Sequence, residues 1–407
     1  MLRQPTIAWL IEGREIYGVR RAIMSLACGV QRAGATPIIV SLNPGECVDA
    51  CQHAGLQTIV LGLGRFRSIH QHATVLGRIR ALAAIAGYQP EVRRHLMSCL
   101  RDIGAQALHT FNFGLLAAAG RAADQAGIPC FWEMASCLGE NYPLDINRRV
   151  YRWLLKSYRI MPLANSQYTA RTLGATDRPT TVLYLGVDSQ MFRPDRADAV
   201  RRAELGIAPD ATVMMIVSRL DASKGHDRAL EAMLSLGQSF GRLELVLLGG
   251  PLEGSYAARL RQIAHQAGAD ERLHLVGLVP DPERYYALAD LTINSRVDAE
   301  PYGLSVVESM MTGRPVLAHA LGGPSETVVD GVTGWHYSMP AVKDIAAGLR
   351  RALQDRPRWP EMNRAAQRHA LAEFSVEVHV AKYLAIVQEQ RALIRTNAKG
   401  VGLPARF

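Results

Sequence analysis

Short apolar runs alternate with longer amphipathic segments along the whole chain, and this rhythm limits the fold more than any other feature. In the first half the runs are Ile7–Ile11, Pro37–Leu42, Thr58–Leu61, Ala107–Phe111, Pro129–Trp132, Met161–Ala164 and Val182–Leu185. In the second half they are Val213–Val217, Leu243–Leu248, Leu273–Val276, Leu291–Asn294 and Pro315–Ala318. Strands covered on both faces have this unbroken apolar character, and repeated strand–helix units build parallel sheets. Between them lie helical patterns such as Arg20–Arg32, where Ile23, Leu26, Ala27 and Val30 share one face. A chain of 407 residues fits two domains of about 150–200 residues each. The expected fold is α/β, with two Rossmann-like doubly wound domains over 1–187 and 188–375 and a boundary at Gly186-Val187-Asp188. A last helix, Val376 to Ile394, carries Val380, Tyr383, Leu384 and Val387 on one side and is long enough to leave the second domain and complete the first. Residues 396–407 have little to bury and are expected to be mobile.

Hydrophobic residues make up 48% and charged residues 20% of the chain, which excludes a disordered or fibrous protein. The net charge of +9 suits acidic partners such as nucleotides, sugar phosphates or an anionic membrane surface, and equally a basic surface kept for solubility. The six cysteines fall in the first third, several inside apolar runs, as buried thiols in a reducing compartment would. Cys47, Cys51 and His53 lack a second ligand pair at the spacing of a zinc site. The early apolar run Thr6–Ile11 is too short for a signal core or a membrane span, so the expected location is cytoplasmic, with any membrane contact peripheral.

In open α/β sheets ligands bind beyond the carboxyl ends of the strands, so the loops after the apolar runs carry the chemistry. Ser218 to Gly225 follows one such run, and Arg219, Lys224 and Gly225 opening a helix are what a diphosphate needs; alone, the segment is equally a solvated turn. Glu300 and Glu308 flank the turn Gly303-Leu304, eight residues apart, about two helical turns. Glu300 falls in the loop and Glu308 on an apolar helix, where carboxylates can accept sugar and ribose hydroxyls. Gly322-Gly323-Pro324-Ser325-Glu326 lets backbone approach a ligand and offers amides before a helix, and Gly249-Gly250 is another place of close approach.

The order of these pieces resembles that of the family-four glycosyltransferases of the GT-B fold. The resemblance rests on Val217-Ser218-Arg219-Leu220, Lys224-Gly225-His226-Asp227, Leu247-Leu248-Gly249-Gly250 and the paired glutamates. It continues in Gly313-Arg314-Pro315-Val316, Gly322 to Glu326 and Asp330-Gly331-Val332-Thr333-Gly334, and more loosely in Ala164 to Thr169. It implies a retaining, metal-independent transfer of a sugar from a nucleotide-diphosphate donor, with no cofactor. Arg219 and Lys224 would neutralise the departing diphosphate, Glu300 would contact the donor sugar and Glu308 the ribose. Gly18, Gly249, Gly303, Leu304 and the backbone of Gly322, Gly323, Pro324 and Ser325 would line the donor. The catalytic set is then Glu300, Arg219 and Lys224, and no Asp-x-Asp motif is present.

Three places depart from that family. A double glycine after the first strand is replaced by Tyr17-Gly18, a basic side chain or histidine by Ala135, and a His-x-His pair by His109-Thr110-Phe111. Acceptor contacts are expected from His109, Asn112, Glu133 and Ser136, although His109 equally suits a core position at a strand end. The acceptor itself is a glycan, a lipid-linked intermediate or a small molecule. In Asn147–Arg159 the cations Arg148, Arg149, Arg152, Lys156 and Arg159 interleave with Val150, Tyr151, Trp153, Leu154, Leu155 and Tyr158, which fits either an anionic membrane surface or a packed helix with a wet basic side. Further basic residues stand at Arg65, Arg67, Arg78, Arg80, Arg93, Arg94 and Arg101. The alternatives are a nucleotide-sugar epimerase of the same fold and a donor-binding relic. Nucleic acid is not an expected partner, since the basic residues are scattered and no recognition module is present.

Overall fold

A computed structural model describes residues 4–64, 75–138, 146–176 and 180–400. The chain divides into two compact units, Met1–Gly186 with Val376–Phe407, and Val187–Ser375.

In the first unit the strands are β1 (Thr6–Ile11), β2 (Thr36–Ser41), β3 (Gln57–Val60), β4 (Ala107–Thr110), β5 (Cys130–Met134), β6 (Ile160–Ala164) and β7 (Thr181–Val182). They form one parallel sheet in the order β3-β2-β1-β4-β5-β6-β7. Alternate side chains of β1 leave on opposite faces, and both faces are covered. Ala8 and Leu10 join the core beneath helices Val75–Asp102 and Leu116–Ala126, through Val92, Leu96, Leu116 and Ala119. Ile7, Trp9 and Ile11 join the other core, where Ile23, Leu26 and Val30 of helix Tyr17–Arg32 meet Val380, Tyr383 and Val387. Those last residues belong to the chain's final helix, Val376–Gly400, which is longer than the sequence pattern suggested. The expected tail therefore begins inside a helix, and residues 401–407 lie outside the described residues, as do Arg65 and Arg67.

The second unit contains β8 (Thr212–Val217), β9 (Leu243–Leu248), β10 (Leu273–Gly277), β11 (Leu291–Asn294), β12 (Val316–His319) and β13 (Gly334–Tyr337). The order is β10-β9-β8-β11-β12-β13, again parallel throughout. Met214, Ile216, Leu245, Leu247, Ile293 and Leu317 face helices His226–Ser235, Ser255–Gln266 and Val342–Gln354. The order reverses between β8 and β11, the place where doubly wound sheets open a crevice.

Candidate active site

The loops leaving β8, β9, β11 and β12 are bound to one another beyond the carboxyl ends of the second sheet. Leu220 N donates to Gly250 O at 2.8 Å, and Val297 N to Ser223 O at 2.9 Å. Ser295 Oγ donates to Lys224 O at 2.8 Å. Gly323 N donates to Glu300 O at 2.8 Å, closing a parallel bridge between Glu300 and Gly322. Arg219, Lys224, Gly249, Glu300, Gly303 and the double-glycine segment are thereby carried on one connected set of loops.

Lys224 ends a short turn, Ala222–Lys224, that Asp221 caps by accepting from Ser223 N at 3.0 Å. Although burial opposes its charge, Asp221 is held below the usual carboxylate range by Ser223 and the nearby Arg219. Gly225 follows with φ 66°, and a Cβ there would strike the backbone oxygen of Ser295. Helix His226–Ser235 then begins, and His226 is fully buried with its Nε2 2.9 Å from Ser218 Oγ. Burial lowers the His226 pKa to about 4, so its ring is neutral near pH 7.

Glu300 is the electrostatic focus of these loops. Lys224 Nζ donates to its Oε2 at 2.9 Å, and Arg296 Nη1 stands 3.3 Å from both of its oxygens. Burial opposes ionisation, but the two cations outweigh it and hold the carboxyl below its ordinary range. Arg296 escaped the sequence reading; its signal was a cation one turn's length before a loop glutamate.

Glu308 lies on helix Leu304–Met311, buried, with Tyr286 Oη donating to its Oε2 at 2.7 Å. Leu304 opens that helix after Gly303, whose φ is 83°. Arg219 is 54% exposed and pairs with Asp221 at 3.5 Å. Gly249 packs against the backbone of Ser218. In the double-glycine segment, Gly323 N is bound to Glu300 O and Ser325 N to Gly322 O, while Pro324 has no N–H. The segment therefore offers a close, side-chain-free surface more than a row of waiting amides.

The residues expected in the first unit are placed differently. Gly18 sits in the first turn of helix Tyr17–Arg32, with open space where a Cβ would be. Tyr17 before it holds φ 51°, the left-handed shape a glycine adopts without strain. His109 and Glu133 are buried, their Nε2 and Oε2 3.6 Å apart, and His109 Nδ1 is 3.0 Å from Tyr383 Oη. Burial raises the Glu133 pKa against the pull of His109. Both side chains are sealed in the core, so the acceptor contacts expected of them are not made by this arrangement. Asn112 Oδ1 accepts from Gly114 N at 2.8 Å, and its role is to cap a turn. Ser136 is exposed and Ala135 half-buried. Among the described residues no group of three or more His, Cys, Asp or Glu is placed to hold a metal ion.

Comparison with known proteins follows this division. Residues 198–370 match the family model "Glycosyl transferases group 1", and residues 17–186 match "Glycosyl transferase 4-like domain". A GDP-mannose-dependent alpha-(1-6)-phosphatidylinositol monomannoside mannosyltransferase of Mycobacterium tuberculosis is 30% identical over 59% of this chain and 64% of its own length. A D-inositol 3-phosphate glycosyltransferase of Geodermatophilus obscurus is 34% identical over 58% of this chain and 55% of its own. The chain thus spans between half and two thirds of these relatives. The fold is that of the Anabaena protein HepE, solved with UDP and glucose, at a TM-score of 0.78 and 20% identity over 95% of this chain and 100% of that one. With both halves matched by glycosyl transferase models and the fold shared along nearly the whole chain, the chain belongs to the family-four glycosyltransferases of the GT-B fold.

Proposed function

We propose that this protein moves a sugar from a nucleotide-diphosphate donor to an acceptor, with retention of anomeric configuration and without a metal or other cofactor. The observation that carries the reading is the convergence of Arg219, Lys224, Glu300 and the Gly322–Gly323 surface on loops bound to one another. Arg219 and Lys224 neutralise the diphosphate as it leaves, stabilising charge where it develops. Glu300 accepts hydroxyls of the donor sugar and Glu308 those of the ribose. The bond from the anomeric carbon to the diphosphate oxygen breaks, the acceptor oxygen bonds on the same face, and the leaving phosphate takes the acceptor's proton. The mycobacterial relative named for GDP-mannose and the HepE complex with UDP and glucose support a sugar nucleotide as donor.

For the acceptor, the reading favours a phosphorylated or lipid-linked glycan intermediate met at the cytoplasmic membrane face. Helix Ile146–Ser157 leaves Val150 46% and Trp153 59% exposed, beside the exposed Arg149 and Lys156. An apolar anchor flanked by cations suits an anionic interface. No helix among the described residues is long and apolar enough to cross a membrane, so any attachment through them is at the surface.

The test is thermal stabilisation against UDP-, GDP- and ADP-sugars, followed by nucleotide release with candidate acceptors. A ligand at a hundredfold excess over its dissociation constant adds about 2.7 kcal/mol to the folded state. One nucleotide class is expected to stabilise the protein, with the shift lost in Arg219→Ala. No stabilisation and no release with any donor would reject the transferase reading. Co-sedimentation with anionic vesicles at low salt, lost in Trp153→Ser, is expected of the membrane contact.

A further inference from the structure

The two cations on Glu300 differ in what else holds them. Among the described residues the one ion pair of Lys224 is the 2.9 Å contact with Glu300 Oε2. Arg296 is tethered a second time: its Nε lies 2.5 Å from Asp298 Oδ1 and its Nη2 3.3 Å from Asp298 Oδ2. That fork fixes the guanidinium plane and leaves Nη1 3.3 Å from each oxygen of Glu300. A planar guanidinium held on two carboxylates is a rigid device, whereas a lysine ammonium is a mobile point charge.

If the reading above is right, the incoming diphosphate competes with Glu300 for Lys224. Glu300 has its side chain only 14% exposed, and it would lose half of its charge compensation as it must receive the sugar. We infer that Arg296, anchored by Asp298, is a positioning residue that keeps Glu300 aimed and ionised while Lys224 changes partner from Glu300 to the diphosphate. The charged groups that bear on Glu300 are Lys224 from the β8 loop and Arg296 from its own loop, with Asp298 held against the far side of Arg296. Of these, Arg296 is the cation whose place does not depend on the donor.

The experiment compares Arg296→Gln, Arg296→Lys and Asp298→Asn with the unaltered protein. The nucleoside diphosphate of the active donor is used as the sugar-free probe. In Arg296→Gln, binding of that diphosphate is expected to stay within about threefold, because Lys224 and Arg219 remain. The kcat/KM for the sugar donor is expected to fall about tenfold or more, and its acid limb to move up by about one pH unit, since Glu300 now protonates more readily. Arg296→Lys should recover part of both changes. Asp298→Asn, at a position 48% exposed, should shift the limb in the same direction by less, without a folding risk. An unmoved acid limb in both Arg296→Gln and Asp298→Asn would overturn the assignment. So would an equal loss of diphosphate and sugar-donor affinity, which marks a merely structural arginine. Absence of diphosphate binding and of turnover in the unaltered protein would instead overturn the transferase reading, and this inference with it.

Discussion

Neutral His226 makes a statement about stability that can be read at one residue. Its folded-state pKa, about 4, lies below the ordinary 6.5 because the ring is buried. Between those values the unfolded chain binds a proton that the folded chain does not, so stability is complete above about pH 6.5 and falls as pH drops through the window. The loss by pH 4 is up to about 3 kcal/mol. Denaturation by urea at a series of pH values should therefore show a steeper acid decline in the unaltered protein than in His226→Asn; parallel declines would reject the assignment. Tyr17 offers a second test at this scale. Its φ of 51° is expensive for any residue with a Cβ, by about 1–2 kcal/mol. Tyr17→Gly is expected to be more stable than Tyr17→Ala by about 1 kcal/mol in equilibrium unfolding. A reversed order would mean that the backbone leaves the left-handed region once the tyrosine is gone. The sequence reading saw a missing glycine here, while the structure keeps the glycine's backbone shape with a different side chain. Arg296 shows the opposite limit: nothing in a lone cation four residues before Glu300 reveals that it would be forked on Asp298.

At the scale of elements, legibility followed burial on both faces. Strands such as β8 and β9 are buried along nearly their whole length and apolar except for Thr212 and Glu244, so their runs stand out in the sequence. By contrast, β13 reads Gly-Trp-His-Tyr and sits at the sheet edge, where pairing with β12 makes the strand rather than any apolar run. Helix Val75–Asp102 carries Pro90 inside it, which interrupts the helical pattern in the sequence. The loops beyond the strands were legible as motifs but not as a connected set. Gly322 is the joint: its φ is 81°, and a Cβ would run into the backbone of Glu300. Gly322→Ala should lower stability by about 1–3 kcal/mol and weaken sugar-donor binding about tenfold or more. Gly313→Ala is the control, with φ 68° but its nearest neighbour, Asn363 O, at an ordinary 3.6 Å. It should show the strain in a denaturation midpoint while donor affinity is kept. Equal effects of the two on donor affinity would mean that the Glu300–Gly322 bridge does not shape the site.

For the whole molecule, the chain's last long helix determines which parts fold as one. Val376 to Gly400 follows directly on the second unit yet contributes its apolar side to the core of the first. Tyr383 is fully buried there, packed edge-on to Trp9 at 6.0 Å and to Phe131 at 6.1 Å, with its hydroxyl 3.0 Å from His109 Nδ1. Gly29 of helix Tyr17–Arg32 lets the two helices approach so closely that a Cβ would stand 2.6 Å from Val380 Cγ2. The first sheet is thus covered on one face by residues that follow the second unit in the sequence, so that face of its core closes only when helix Val376–Gly400 is in place. Tyr383→Ala removes the largest side chain that this helix contributes, and large-to-small changes of that kind cost about 3–5 kcal/mol. The deficit belongs to the first unit, since the second has its own core around Met214, Leu245 and Trp335. Hydrogen exchange followed by mass spectrometry should accordingly show faster exchange in β1, β4 and β5, while β8 and β9 keep the protection they have in the unaltered protein. Equal loss in both sheets would show that the units unfold as a single body, and that the last helix stabilises the molecule as a whole and not the first unit alone.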